Sequence, residues 1–299
     1  MKTHIFMGLA AFGMALVLVY AACNNHTHDW VWTIDAVAAT CTSSSKDTAV
    51  CSECGAVTDK AGSVAALGHT DGAAATCTTA QTCMVCSEIL AAALGHEYDW
   101  VVTNDTSYPA ISTGTCSRDG HTETRGTAIG DKGPGGGKIF YVGTFTMTDN
   151  SSTAHYLEAA PSNQGTGIRW ATATASPYAT VSTDANATVI GSGRRNTALI
   201  IAGDPYSTYN HAALLCKNYI NNGKNDWFLP SFDELSEIYN NLVNGKPDHG
   251  YEMGTGTASS YWSSSQYSVD TARYRQFSSG AVSSGHKYQS QPVRAIRAF

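Results

Sequence analysis

Asn225-Asp226-Trp227-Phe228-Leu229-Pro230-Ser231-Phe232-Asp233-Glu234-Leu235 is the stretch that decides the fold of the last third of the chain. Pro230 sets an extended entry, and Ser231 with Glu234 three residues on forms a capping box, so a helix begins at Ser231. Phe232, Leu235, Ile238, Tyr239 and Leu242 then recur at helical spacing and face a core. Asn244-Gly245-Lys246-Pro247 ends the helix. Trp227, Phe228 and Leu229 are large apolar residues beside turns, the positions of core anchors.

Upstream, Ala212, Leu215, Cys216, Tyr219 and Ile220 follow i, i+3, i+4, i+7, i+8, predicting a second helix from about Asn210 that Asn221-Asn222-Gly223 ends. Cys216 lies on the apolar stripe and reads as a buried thiol. The remainder reads as short strands: Tyr156 to Ala159, Tyr261 to Ser264, Ala272 to Phe277, Ala281 to Ser283 and Val293 to Ala298. Turn signals Ser279-Gly280 and Ser284-Gly285 separate the late ones. Two helices among antiparallel strands make residues 129–299 an α+β domain.

Its opening, Gly130-Asp131-Lys132-Gly133-Pro134-Gly135-Gly136-Gly137-Lys138, superficially suggests a phosphate-binding loop. Ile139 stands where Ser or Thr would bind magnesium, Lys132 takes the first Gly position, and a strand follows where a helix should. The run reads as an entry turn.

Residues 23–128 repeat themselves. Ala39-Thr40-Cys41-Thr42 returns as Ala75-Thr76-Cys77-Thr78, Cys51-Ser52-Glu53-Cys54 as Cys83-Met84-Val85-Cys86, and Leu67-Gly68-His69 as Leu94-Gly95-His96. A third copy decays at Cys116-Ser117-Arg118-Asp119-Gly120. Such units are too small to hold a core without a staple. Cys41, Cys51, Cys54 and His69 make one Cys3His set, and Cys77, Cys83, Cys86 and His96 a second, either for structural zinc or for disulfides. Catalytic zinc is not expected, because no Glu stands in a His-Glu-x-x-His helix.

Residues 1–22 read as a signal peptide, with a basic start and an apolar run from Ile5 to Tyr20. Tyr20-Ala21-Ala22-Cys23 resembles a bacterial lipobox, which makes Cys23 the expected lipidation site. Membrane attachment is then through the lipid alone. From Cys23 to Ala128 there are 4 basic against 12 acidic side chains, and from Ile129 to Phe299 there are 13 against 12. No basic block stands out, so nucleic acid is not an expected partner.

Several blocks together resemble one family. They are Gly136-Gly137-Lys138-Ile139-Phe140-Tyr141, Tyr156-Leu157-Glu158-Ala159-Ala160-Pro161, Asn196-Thr197, Ala212-Ala213 with Cys216, Asp226 to Leu235, Tyr261 to Ser265 and Val293 to Arg297. In this order they look like the Lcl C-terminal-like domain of bacterial surface proteins. The resemblance implies a C-type-lectin-like head, and for some members a homotrimeric adhesin that binds sulfated polysaccharides. The repeats are similar to spacer repeats of bacterial surface lipoproteins, which implies a stalk.

Motifs for catalysis are missing. No Gly-x-Ser-x-Gly elbow is present, and the serines at 263–265 and 283–284 lack a placed His and Asp. The chain is therefore read as non-catalytic, a lipid-anchored protein of the bacterial cell envelope exposed at the surface. Its expected partner is an anionic extracellular glycan, the rival being another envelope protein. Arg273, Arg275, Lys287 and Trp170 are the candidate ligand contacts, because guanidinium forks suit sulfate or carboxylate and an aromatic face can stack on sugar. Tyr178, in the same long loop as Trp170, is a further aromatic. Asn225 and Asp226 are weaker candidates as cation ligands.

Overall fold

The computed structural model describes residues 27–149, 152–172, 184–204, 209–253 and 259–299. The signal peptide, Cys23 and Tyr178 lie outside the described residues. The chain divides into two compact units, residues 1–96 and 97–299. This division falls ahead of the expected start at Ile129. Among the described residues no helix is long and apolar enough to cross a membrane.

In the first unit β1 (Trp30–Val37), β2 (Lys46–Cys51) and β3 (Val57–Ala61) form an antiparallel meander. β4 (Gln81–Thr82) and β5 (Ile89–Ala91) make a short hairpin around Cys83 and Cys86. The two Cys-x-x-Cys turns share one geometry. The N–H of Gly55 bonds the carbonyl of Cys51, and that of Ser87 bonds the carbonyl of Cys83, each at 2.9 Å. The residue after the second cysteine takes positive φ, 74° at Gly55 and 61° at Ser87. Glycine adopts that conformation at little cost, whereas Ser87 does so against its own preference.

The second unit starts with the decayed repeat, again a meander: β6 (Tyr98–Asn104), β7 (Ile111–Cys116) and β8 (Thr122–Gly126). Its knuckle keeps the same turn, Gly120 N–H to Cys116 carbonyl at 2.9 Å, with Asp119 in the second thiol's place. The head that follows absorbs this repeat. Val102 N–H bonds the Lys132 carbonyl and Lys132 N–H bonds that of Trp100, both at 2.8 Å. Val102 and Ala110 pack with Ile139 and Tyr156 in a common apolar cluster. Burying those side chains is why the compact unit begins at Glu97 and not where the composition shifts.

The head contains β9 (Lys138–Thr146) and β10 (Thr153–Ala159), β11 (Gly165–Arg169), β12 (Ser260–Gln266), β13 (Thr271–Gln276) and β14 (Val282–His286), then β15 (Ser290–Val293) and β16 (Ile296–Ala298). Their sheets run β16-β10-β9, β11-β15 and β12-β13-β14. The single strand expected over Val293 to Ala298 is two strands. The chain changes sheet at Arg294 and Ala295, so β15 pairs with β11 and β16 with β10.

The α+β expectation of a C-type-lectin-like head with two helices is overturned. The described residues are mostly β, 37% strand against 13% helix, in small sheets with three α-helices among them. The additional helix is α1 (Gly193–Gly203), which lacks a side-chain cap at Ser192 and has glycine at both ends. Local start signals are absent there, and burial of Asn196, Thr197 and Ile200 carries it. Helix α2 (Ala212–Lys217) buries Ala212, Ala213 and Cys216. Its stripe stops short of expectation, since Ile220 is 67% exposed. Helix α3 (Phe232–Ile238) has the expected capping box and runs on as a π-helical turn, Tyr239–Val243.

Two cores meet along this frame. Trp170, Trp227, Leu229 and Trp262 anchor one, and Phe140, Leu157, Phe228, Leu235 and Tyr261 the other. Each buried indole finds an acceptor: Trp170 donates to the Ser263 carbonyl, Trp262 to that of Ile168, and Trp227 to that of Lys224. The glycine-rich turn has a partner of its own. Glu158 is fully buried and accepts the N–H groups of Gly135 at 3.0 Å and Gly137 at 2.6 Å. A Cβ on Gly133 would sit 2.4 Å from the Glu158 carboxyl carbon, so glycine is required there.

Candidate functional site

The blocks that suggested a binding domain meet in a buried ion cluster. Arg297 donates to Glu158 at 3.2 Å and, through Nε and Nη2, to both oxygens of Asp226 at 2.8 and 3.1 Å. Burial pulls the Asp226 carboxyl upward, but the hydrogen bonds and charge of Arg297 win and hold it below its usual value. Asp226 is thereby used as a partner of Arg297. Arg294 is equally internal, donating to Asn163, to the Ala160 carbonyl and to the Glu252 carbonyl. Removing Arg297 would leave Glu158 buried and unpaired, a loss that typically costs about 3–5 kcal/mol, whereas the half-exposed Asp226 contributes less. These arginines are part of the frame.

The four candidate ligand contacts separate in the same way. Trp170 and Lys287 are fully buried. Lys287 Nζ lies 4.6 Å from the Trp170 ring centroid and donates to Gln266 and to the Val269 carbonyl. Burial pushes its amine down to about 8. The pair is an internal cation–π contact, so neither residue presents a surface to sugar. The long loop expected around Trp170 opens with β11, which seats Trp170 in the core.

Arg273 and Arg275 do share one face of β13, as the alternation predicts, while Tyr274 packs on Trp262 from the other. Arg275 is drawn over Tyr239, 4.4 Å from the ring centroid, and donates to Ser236 Oγ at 3.0 Å. Arg273 lies between Tyr267, at 4.8 Å, and Phe232, at 5.6 Å. Arg273, Tyr267, Phe232, Val282, Ser283 and Ser284 line a shallow cleft of about 240 Å3. Tyr267 is 60% exposed. Among the described residues no carboxylate pairs with Arg273. Tyr267 was missed because a lone Tyr in a turn carries no periodic signal; only the fold of β12 onto β13 places it beside Arg273.

A second concavity, about 520 Å3, lies between α1 and α2 and is lined by Ala198, Ile201, Leu214 and Trp227, with Arg194 and Lys217. Arg194 is ion-paired to Asp149 at 2.8 Å. Cys216 is enclosed, and burial pushes its thiol up, which suits a packing role. The serines at 263–265 are buried too. Ser263 Oγ donates to the Arg273 carbonyl and Ser265 Oγ to that of Ala187, so they serve the backbone.

In the first unit the structure regroups the cysteines and histidines. Cys41 and His69 join Cys83 and Cys86, the four ligand atoms lying within 4.8 Å of one another. Cys51 and Cys54 are gathered with His28, a residue outside the expected sets. The loop ending in Leu-Gly-His folds back the same way twice. Gly68 N–H bonds the Cys41 carbonyl, and Gly95 N–H that of Cys77, both at 3.0 Å. This brings Cys77 near the His96 end of the unit.

Residues 159–297 match the Lcl C-terminal domain. The match covers Asp226 and Arg297 of the ion cluster, both concavities and the three α-helices of the described residues, and it bears out the resemblance read from the sequence. No curated protein matches the chain. Among solved structures, a fimbrial protein from Bacteroides ovatus ATCC 8483 is similar at 13% identity and a TM-score of 0.39, over 64% of this chain and 57% of that one. At that level the likeness carries no argument, and the present chain spans little more than half of that protein. The likeness of residues 159–297 to the Lcl C-terminal domain thus rests on the sequence match and on the frame that these blocks build.

Proposed function

We propose that the chain is a non-catalytic, lipid-anchored protein of the bacterial cell surface whose Lcl C-terminal domain binds an anionic extracellular glycan. The observation that carries this reading is the cleft at Arg273. A guanidinium with no carboxylate partner among the described residues lies beside an exposed Tyr267 ring and the hydroxyl-bearing Ser283 and Ser284. Fork-shaped donors match sulfate or carboxylate oxygens, the ring offers a stacking face, and the serines offer further hydrogen bonds. The Lcl C-terminal domain fits a surface protein.

Surface plasmon resonance of the full chain against heparin-class and desulfated glycans tests it. Arg273→Ala and Tyr267→Ala should each weaken binding to the sulfated glycan by about tenfold, corresponding to about 1.4 kcal/mol. Added salt should weaken it as well, because exposed charges are screened. Absence of binding to either class rejects the reading.

The groove between α1 and α2 supports a second one. Its apolar lining, Ala198, Ile201, Leu214 and Trp227, suits the side chains of a protein segment better than a sugar, in keeping with an envelope assembly protein. A crosslinked partner that protects Ile201 and Leu214, with no glycan retained, would establish it.

A further inference from the structure

Residues 27–96 bury few apolar side chains: Cys41, Ala49, Cys51, Cys77 and Cys83. Val31, Ile34, Leu67, Met84 and Ile89 are more than half exposed. A meander with so small an apolar interior needs another source of stability. Four chemically matched side chains from three separate segments converge inside it. Cys41 comes from the loop after β1, His69 from the Leu-Gly-His loop, and Cys83 and Cys86 from the knuckle between β4 and β5.

Distances discriminate between the staples that thiols can make. Cys41 Sγ and Cys83 Sγ are 3.7 Å apart, and both thiols are unbridged, as is Cys86. A disulfide requires about 2.05 Å. Zinc bonds of about 2.3 Å to sulfur and about 2.0 Å to nitrogen, at tetrahedral angles, put two sulfurs about 3.8 Å apart and sulfur and nitrogen about 3.5 Å apart. The Cys86 Sγ to His69 Nδ1 distance is 3.4 Å. Both contacts therefore match edges of one tetrahedron.

The surroundings are those of a metal knuckle. Val85 N–H donates to Cys83 Sγ at 3.4 Å, a bond that stabilises a thiolate facing a cation. On the far side of the imidazole, Glu88 lies 3.4 Å from His69 Nε2. A carboxylate there fixes the tautomer that leaves Nδ1 as the ligand and raises its basicity. Three thiols and one imidazole fill all four positions, which makes the site closed and structural.

We propose that Cys41, His69, Cys83 and Cys86 hold one structural zinc ion, with Glu88 positioning His69. The ion spans the sequence repeats: it takes the first cysteine and the histidine of one copy and the Cys-x-x-Cys of the next. It clamps residues 42 apart in sequence, so the loop it closes in the unfolded chain is long.

Cobalt titration of the metal-stripped, reduced full chain tests this. Tetrahedral ligand-field bands with thiolate-to-cobalt charge transfer should develop, and zinc should displace the cobalt. Cys41→Ser and Cys83→Ser should each abolish one equivalent of the binding. Cys51→Ser should leave that equivalent in place, since Cys51 belongs to the other group. Glu88→Gln, which keeps all four ligands, should weaken affinity by about tenfold to a hundredfold. Peptide mapping of unreduced protein should find no bridge from Cys41. A Cys41–Cys83 or Cys41–Cys86 disulfide in native protein overturns the proposal. So does an unchanged cobalt stoichiometry in both Cys41→Ser and Cys83→Ser.

Discussion

In residues 27–96 the buried apolar side chains are cysteines and an alanine, whereas in residues 97–299 they include Trp170, Trp227, Trp262, Phe140 and Phe228. The first unit even turns Trp32 outward, 37% exposed, with Lys60 Nζ 4.2 Å from its ring centroid. Both units use antiparallel meanders with the same knuckle turn, so backbone geometry does not separate them. What differs is the means by which the chain entropy of ordering is offset. Burial of large rings serves in the head, and under the proposed zinc site the convergence of thiols and imidazole serves in the repeats. One backbone motif therefore supports two kinds of stability, depending on what its turns place inside.

Metal removal should open the widest gap between the two units. Chelation under reducing conditions should abolish hydrogen-exchange protection across Cys41 to Cys86 while the head keeps its own, because metal binding and folding are coupled in small sites. Equal loss in both units would erase the distinction. Next in size, Trp227→Ala should cost the head about 3–5 kcal/mol, while Trp32→Ala in the first unit should stay within about 1 kcal/mol. Denaturant unfolding followed separately in each unit measures both. A large effect of Trp32→Ala would mean that the first unit relies on its apolar residues after all.

The smallest effect concerns acid. With its folded pKa below the usual 3.8, Asp226 stabilises the head above about that pH, and the contribution is lost as the pH falls through the lower folded value. The denaturation midpoint of the wild-type head should therefore drop faster below about pH 4 than that of Asp226→Asn. A first unit held by metal should also lose stability in acid, but only when metal is present, which keeps the two causes apart.

Much of this contrast is legible in the sequence, and the remainder has identifiable physical reasons for staying hidden. The capping box at Ser231 and Glu234 and the period of Phe232, Leu235 and Ile238 are local signals, and the structure has them where expected. The three knuckles are local as well. The approach of His69 to Cys41, Cys83 and Cys86 is not, because these thiols lie both before and after it, and nearness in sequence favours Cys51 and Cys54. Lys287 and Trp170 mislead for a related reason. A lysine and a tryptophan amid polar residues read as surface, and only the pairing of β11 with β15 brings them together inside. Helix α1 is invisible because tertiary burial, and no cap, holds it. The expected lectin-like α+β class failed with it, since the count of helices and the size of the sheets both depend on such non-local contacts.

The glycine-rich turn at 133–137 has one more implication. Backbone N–H groups converging in such a turn form a seat for a negatively charged oxygen, and many proteins leave that seat open for phosphate. In this chain the guest is internal: the carboxylate of Glu158, delivered by β10 and backed by Arg297. The missing Cβ atoms make room for a neighbour in the same molecule. The turn works as a keystone, shaped by the strand that fills it and closed to soluble anions for as long as the head stays folded.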